Sequence, residues 1–123
     1  MIFIKINNIL YPSEKIEGKI KDEKWNDRES KTITLSMSYE EGLNIFTNNI
    51  NWYIIAEQNP RKDELGNLYT PDPIEYDNSE FCLAGPITDN RDGTDSIKMG
   101  KMTEAELVQK ELEETLAIMY AEV

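Results

Sequence analysis

The sequence predicts an α+β fold, in which a mainly antiparallel β-sheet carries one short packed helix and is followed by a C-terminal helix. Apolar and polar residues alternate from Lys31 to Met37, as in a half-buried strand. Ser38 and Glu41 then have the spacing of a capping box, which marks a helix start. A second alternating stretch, Ile50 to Glu57, is apolar on both faces and therefore predicts an interior strand.

The N-terminal third predicts a run of short antiparallel strands. Ile2 to Ile6 is a strand, and Asn7-Asn8 suits a two-residue turn because Asn tolerates positive φ. Ile9 to Tyr11 then returns as a short strand that Pro12 stops. A further strand is expected from Lys15 to Asp22.

A short helix from Tyr39 to Thr47 is predicted to pack on this sheet. Tyr39, Leu43 and Phe46 recur at helical spacing, so they define its apolar face. The predicted core draws on this helix and on the alternating strands: Phe3, Ile33, Leu35, Leu43, Phe46, Trp52, Ile54, Phe81 and Leu83.

Residues 58–78 differ in composition from the rest of the chain. Three prolines and a glycine interrupt the segment, and long loops of this kind are uncommon in small domains. Its apolar residues argue against full disorder. We expect a projecting Pro-rich arm, with a hairpin tip at Leu65 to Leu68, that orders against a partner. A mobile loop without a role is the alternative.

The remaining sheet is predicted from two features. Ser79 to Ala84 alternates as a strand, which Pro86 breaks or confines to an edge. Ile87 to Asn90 and Thr94 to Met99 flank a hairpin turn at Arg91-Asp92-Gly93, in which the glycine takes positive φ. Residues 1–100 thus form the β-rich domain.

Residues 103–123 are predicted to form an acidic amphipathic helix. Thr103 to Glu106 is a second capping box. A stripe at helical spacing follows, and glutamates cover most of the remaining surface. The helix either packs on its own sheet or presents an apolar contact surface to another chain. The stripe comprises Ala105, Val108, Leu112, Leu116 and Met119.

The composition limits the classes of partner. The chain has 123 residues and a net charge of −11, so it is long enough for one core and too acidic to bind a nucleic acid backbone or an anionic membrane unaided. The charge favours a basic protein surface, or it serves solubility alone. Cys82 is the only cysteine, which fits a reducing compartment. With no signal peptide in evidence at the start, we expect the cytoplasm or a particle assembled there.

Catalytic and metal sites are not expected. The sequence contains no histidine, which removes the usual triads and most general-base chemistry near neutral pH. The acidic turn from Asp89 to Asp95 does not fit the spacing of a calcium-binding loop, because Met99 stands where a bidentate glutamate is needed. We therefore predict no enzyme activity, no cofactor and no metal.

Candidate partner-binding residues are aromatic or apolar side chains outside the predicted core. Trp25 lies among polar residues and is either an interface anchor or folded back on the core. The others come from the arm and from positions off the main helical stripe: Leu68, Tyr69, Tyr76, Leu107, Ile118 and Tyr120.

The layout resembles small accessory proteins of the tails and baseplates of tailed phages, encoded by phages and prophages of low-GC bacteria. The features that carry the resemblance are the hairpin start at Ile4 to Asn8, Thr32 to Leu35 running into Ser38 to Phe46, the strand Trp52 to Ile55 and the hairpin at Arg91 to Thr94. The resemblance implies a non-enzymatic virion protein that assembles with other phage structural proteins in a ring or a heteromeric complex. The Pro-rich arm and the long acidic helix depart from the plainer members.

A second class is compatible with the charge. A small, acidic, histidine-free protein of this kind could inhibit a host defence nuclease, as anti-CRISPR proteins do, by occupying a basic nucleic-acid channel. The acidic residues are spread over the arm, the turn at Asp92 and the last helix, so a continuous DNA-like stripe is not evident.

Overall fold

The computed structural model describes residues 1–121, and the last two residues of the predicted helix lie outside that range. The α+β prediction is confirmed. Strands and helices follow in the order β1 (Ile2–Ile6), β2 (Ile9–Asp22), β3 (Arg28–Leu35), α1 (Tyr39–Ile45), β4 (Trp52–Ala56), β5 (Arg61–Lys62), β6 (Leu68–Tyr69), β7 (Ile74–Asp77), β8 (Leu83–Asp89), β9 (Asp95–Gly100) and α2 (Glu104–Ala121).

Seven of the strands form one antiparallel sheet, in the order β7-β4-β1-β2-β3-β9-β8. Within the described range, the short strands β5 and β6 pair only with each other. Helix α1 packs on one face of the sheet, over β8 and β9. The buried apolar side chains gather on that face: Ile4, Ile6, Ile33, Leu35, Phe46, Trp52, Phe81, Ile97 and Met99.

The first hairpin turns as predicted, but its second strand is longer. Asn7 and Asn8 both adopt positive φ, 52° and 64°, and join β1 to β2. The expectation that Pro12 ends the second strand is wrong, because β2 runs on to Asp22. Hydrogen-bonded and non-hydrogen-bonded pairs alternate from the turn, which makes Phe3–Pro12 a non-hydrogen-bonded pair. Pairing with β3 begins at Ser13, one residue after Pro12. Neither neighbouring strand therefore needs the backbone N–H that proline lacks.

Helix α1 is capped as predicted but turns a different face inward. The Ser38 hydroxyl accepts a hydrogen bond from the Glu41 backbone N–H at 3.2 Å. Leu43 was predicted to be core and is 49% exposed. Gly42 takes the buried position instead, because a Cβ there would lie 3.4 Å from the terminal methyls of Ile87 and Ile97. The glycine allows the helix to approach the sheet closely.

The sequence does not predict one strand of the sheet, and a second strand begins later than predicted. Only Ile74–Asp77 of the 58–78 segment joins the sheet, as the edge strand β7, so the projecting part of the arm ends before it. The strand expected at Ser79 begins at Leu83, and the residues before it form a loop. Pro86 is tolerated because β8 is an edge strand with a register shift at that point.

The loop before β8 closes the core. Trp52 is fully buried, donates its indole N–H to the Phe81 carbonyl at 3.0 Å and packs edge-to-face against the Phe81 ring. Burial confirms Ile33, Leu35, Phe46, Trp52 and Phe81 as core residues, whereas Phe3, Ile54 and Leu83 are half-buried.

Candidate interaction surface

Helix α2 begins at the predicted capping box. The Glu106 carboxylate accepts a hydrogen bond from the Thr103 backbone N–H at 2.8 Å, and the Thr103 hydroxyl accepts one from the Glu106 N–H at 3.3 Å. These reciprocal bonds satisfy donors that a helix start leaves free. The helix then continues without interruption to Ala121.

A buried arginine fastens this helix start to the sheet. Arg28, at the first position of β3, donates two hydrogen bonds to the Glu106 carboxylate, at 2.6 and 3.1 Å, and a third to the Lys101 carbonyl at 2.9 Å. The Arg28 side chain is 3% exposed. Its hydrogen bonds to Glu106 hold the pKa of that carboxyl at about 2, below its usual range. A bidentate ion pair of this kind fixes the direction of the helix as well as its position.

Trp25 packs within this chain, over two glycines. A Cβ at Gly100 would come within 2.7 Å of the Trp25 ring, and one at Gly85 within 2.6 Å. The guanidinium of Arg28 lies 4.9 Å from the ring centroid on a cation–π contact. Trp25 is thus half-buried and supports the arginine that holds α2.

Beyond its first turn, α2 has no partner among the described residues. None of its residues is buried, and Leu112 in the middle of the stripe is 59% exposed. Helices in globular proteins normally bury such a stripe. The first of the two predicted outcomes is wrong, because the stripe does not pack on its own sheet: Val108, Leu112, Leu116 and Met119 are all exposed.

Charged side chains flank the stripe and leave it clear. At 100° per residue, Glu104, Glu111 and Glu114 lie on one side of it and Glu106 and Glu113 on the other. Lys110 is the only basic residue from 104 to 121. The surface that α2 presents is therefore an apolar strip between two acidic borders.

Of the three candidate residues on α2, Leu107 lies near its N-terminal end, and Ile118 and Tyr120 lie near its C-terminal end. Leu107 lies at the base and borders a shallow cleft, together with Cys82 and Met102. Ile118, eleven residues on, lies on the same side of the helix as Leu107 and is exposed. Tyr120 is exposed near the end, beside the stripe. Their exposure makes them available to another molecule.

The candidate residues of the arm lie apart from α2. Leu68 and Tyr69 form strand β6 of the small hairpin, and both are exposed. Tyr76 lies on the edge strand β7 and is half-exposed. The structure therefore leaves two separate apolar surfaces, one on the arm and one on α2.

The acidic turn is organised by its own backbone. The Asp89 carboxylate accepts a hydrogen bond from the Arg91 N–H at 2.9 Å, and the Asp92 carboxylate accepts one from the Thr94 N–H at 3.0 Å. Within residues 1–121, no three side chains of the types that bind metals converge on one point. These hydrogen bonds account for the positions of Asp89 and Asp92.

Comparisons with family models, with curated proteins and with solved structures find no match. In the part of the chain described, no helix is long and apolar enough to cross a membrane. The geometry of α2 and of the arm is therefore the basis for inferring a function.

The residue that sequence reasoning missed is Arg28. It is separated from Glu106 by 78 positions, and nothing in its local pattern marks it as buried. The sequence contained one indirect indication of a buried cation. The glutamate of the second capping box has a second carboxylate oxygen, which the capping bond does not use and which a cation can bind. Only the pairing of β3 with β9, which brings Ser30 opposite Gly100, shows that Arg28 is that cation.

Proposed function

We propose that this protein is a non-enzymatic assembly component that acts through protein–protein contacts, and that α2 is its principal contact element. A single observation carries the proposal. An eighteen-residue helix is firmly anchored at one end, and its apolar stripe remains uncovered. Anchoring by Arg28 limits the orientations that α2 can adopt, which lowers the ordering cost on binding.

The partner surface follows from the chemistry of α2. Completing the burial of each large stripe residue contributes roughly 1 kcal/mol, since each is about half-exposed. The acidic borders repel a copy of the same helix in a close symmetric contact. The partner therefore offers an apolar groove bordered by lysine or arginine.

The resemblance to tail and baseplate accessory proteins supports a phage particle as the assembly. In this proposal the protein is made in the host cytoplasm and becomes part of the virion tail. A helix held away from a small rigid sheet suits a component that links neighbouring subunits.

Incorporation into particles tests the proposal. The change is a chain that stops after Lys110, which keeps the Arg28–Glu106 contact and removes most of the stripe. We expect this chain to fold, as judged by urea unfolding, and to be absent from purified tails by mass spectrometry. Leu112→Ser combined with Leu116→Ser should act in the same way.

A matched control comes from the opposite side of α2. Ala117→Ser with Ala121→Ser makes two similar changes away from the stripe and should leave incorporation unchanged. Normal incorporation of the shortened chain would refute α2 as the contact element.

The exposed carboxylates of α2 favour one second candidate. Four glutamates, Glu104, Glu111, Glu113 and Glu114, project from the helix with one lysine among them, which suits a basic nucleic-acid channel. An inhibitor of a host defence nuclease would use α2 in this way. It would compete with DNA for the purified nuclease, and charge-neutral Glu111→Gln with Glu114→Gln would weaken it more than the serine substitutions of the stripe.

A further inference from the structure

Strand β2 has a free edge along its C-terminal half. Strand β1 pairs with β2 only as far as Ser13, whereas the pairing of β2 with β3 continues to Asp22. The register shift between Ser13 and Lys15 is a bulge, which bends β2 where β1 ends. Within residues 1–121, the backbone of residues 16–21 bonds to no strand other than β3. We call the side of residues 15–21 that faces away from β3 the β2 edge.

The β2 edge has nearly the same residue pattern in both directions from Gly18. An isoleucine lies two residues away on either side, and a lysine lies three residues away on either side. The immediate neighbours of the glycine, Glu17 and Lys19, carry opposite charges. Two such strands that pair antiparallel about a two-fold axis at Gly18 therefore place Glu17 opposite the partner's Lys19. The same pairing places Ile16 opposite the partner's Ile20.

The side chains of the β2 edge are open to such a partner. Ile20 is 89% exposed, and Ile16 is half-buried at the margin of the core. A Cβ added at Gly18 would meet no atom within 4 Å. Residues directly opposite each other in an antiparallel pair project from the same face. Ile20 therefore covers the partner's Ile16 on one face, and the charged pairs lie on the other face.

We propose that two copies of this chain pair through the β2 edge, antiparallel and in register about Gly18. Backbone groups that the edge leaves free then form hydrogen bonds between the two copies. Each copy contributes the same surface, so the contact is isologous and closes as a dimer. The net charge of −11 on each copy opposes association, but exposed charges are screened beyond roughly 8 Å at physiological ionic strength.

The charges of the β2 edge select this register. Lysines on a free edge normally discourage indiscriminate strand pairing. With the axis at Gly18, Glu17 lies between Lys15 of its own chain, with which it forms an ion pair, and the partner's Lys19. An axis at Glu17 or at Lys19 would instead bring two glutamates or two lysines face to face, which is unfavourable. Lys15 and the partner's Lys21 meet only at the ends of the contact, where both are exposed and a Glu17 carboxylate is their diagonal neighbour.

Charge exchange tests the contact. Glu17→Lys alone or Lys19→Glu alone places like charges opposite each other twice in the dimer, so each should raise the dimer Kd by about tenfold in analytical ultracentrifugation. The two changes combined exchange the charges and should restore the Kd of the parent. Glu111→Lys alone and Lys110→Glu alone are the matched controls, since they change the net charge equally on α2, and should leave the Kd unchanged. Urea unfolding of each variant checks that it is folded.

Disulfide formation in a Cys82→Ser background identifies the register. Directly opposite residues of antiparallel strands have Cα atoms about 4.5–5.5 Å apart, within disulfide range, so Gly18→Cys should link two copies on mild oxidation. Lys15→Cys alone should not link, because its two copies lie about 20 Å apart along the strands. A mixture of Lys15→Cys and Lys21→Cys chains should link.

Three results would each overturn this pairing. The first is a monomer at all concentrations in ultracentrifugation. The second is a combined Glu17→Lys and Lys19→Glu variant that dimerises no better than either single variant. The third is a disulfide between two Lys15→Cys chains that forms as readily as the one at Gly18→Cys.

Discussion

The contact between Arg28 and Glu106 makes a direct prediction about stability. Glu106→Gln keeps the size of the side chain and an oxygen for the Thr103 N–H, and it removes the charge and one of the two acceptor oxygens opposite a buried guanidinium. Without solvent screening, the fall in the pKa of Glu106 from 4.5 to about 2 corresponds to about 3 kcal/mol in the free energy of unfolding. The Glu106 side chain is 36% exposed, so solvent screening reduces the expected loss to about 1–2 kcal/mol.

The sign of the pH dependence follows from the direction of the shift. The pKa of Glu106 is lower in the folded chain than in the unfolded one, so its stabilisation is complete above about pH 4.5. That stabilisation is lost as the pH falls toward 2. Glu106→Gln should therefore unfold more easily than the parent at pH 7, and the difference should disappear near pH 2.

Urea unfolding followed by circular dichroism measures both effects. Glu111→Gln, one turn or so further along the same helix and exposed, is the matched control and should unfold like the parent. Equal stability of Glu106→Gln and Glu111→Gln at pH 7 would refute the anchoring role of Glu106.

Four further predictions concern the core, the sheet, metal binding and the arm. Trp52→Ala should cost about 3–5 kcal/mol in urea unfolding, since it empties a fully buried site; a melt like that of the parent would refute the core assignment. Burial, and then the nearby Asp89, raise the pKa of Asp95, whose Oδ2 has no hydrogen-bond partner within residues 1–121. The folded protein therefore loses stability as the pH rises through that pKa. Asp95→Asn should raise the melting temperature at pH 7, and a fall would contradict this. A chelator should leave the melting temperature unchanged, whereas a drop of several degrees would indicate a bound metal. Trypsin should cut first at Arg61 or Lys62 in the free protein and not in its assembly; equal protection in both would make the arm an ordinary loop.

Local patterns predicted the fold because its signals are local. The Asn7-Asn8 turn, the Ser38 cap and the Thr103 capping box each depend on a few neighbouring residues, and all three form as expected. Pro12 was misjudged because its tolerance depends on which partner β2 has at that point, and pairing is not a local property.

The functional surface was harder to predict for a related reason. The stripe of α2 is readable from its spacing, but whether a sheet covers it depends on the direction in which the helix leaves β9. Arg28 sets that direction, and its contact with Glu106 joins distant parts of the chain. The exposure of Leu43 was not predicted for the same reason. The close approach of Gly42 to the sheet decides which face of α1 is buried, and helical spacing alone does not show that approach.

Hydrogen exchange along α2 tests the central claim most directly. Amides from Leu107 to Ala121 should exchange much faster than those of Ile33 and Ile97 in the free protein, because no described residue of the helix is buried. The same amides should become protected in purified particles that contain the protein. Protection of α2 in the free monomer equal to that of the central strands would contradict an open contact helix, as would unchanged fast exchange within the particle.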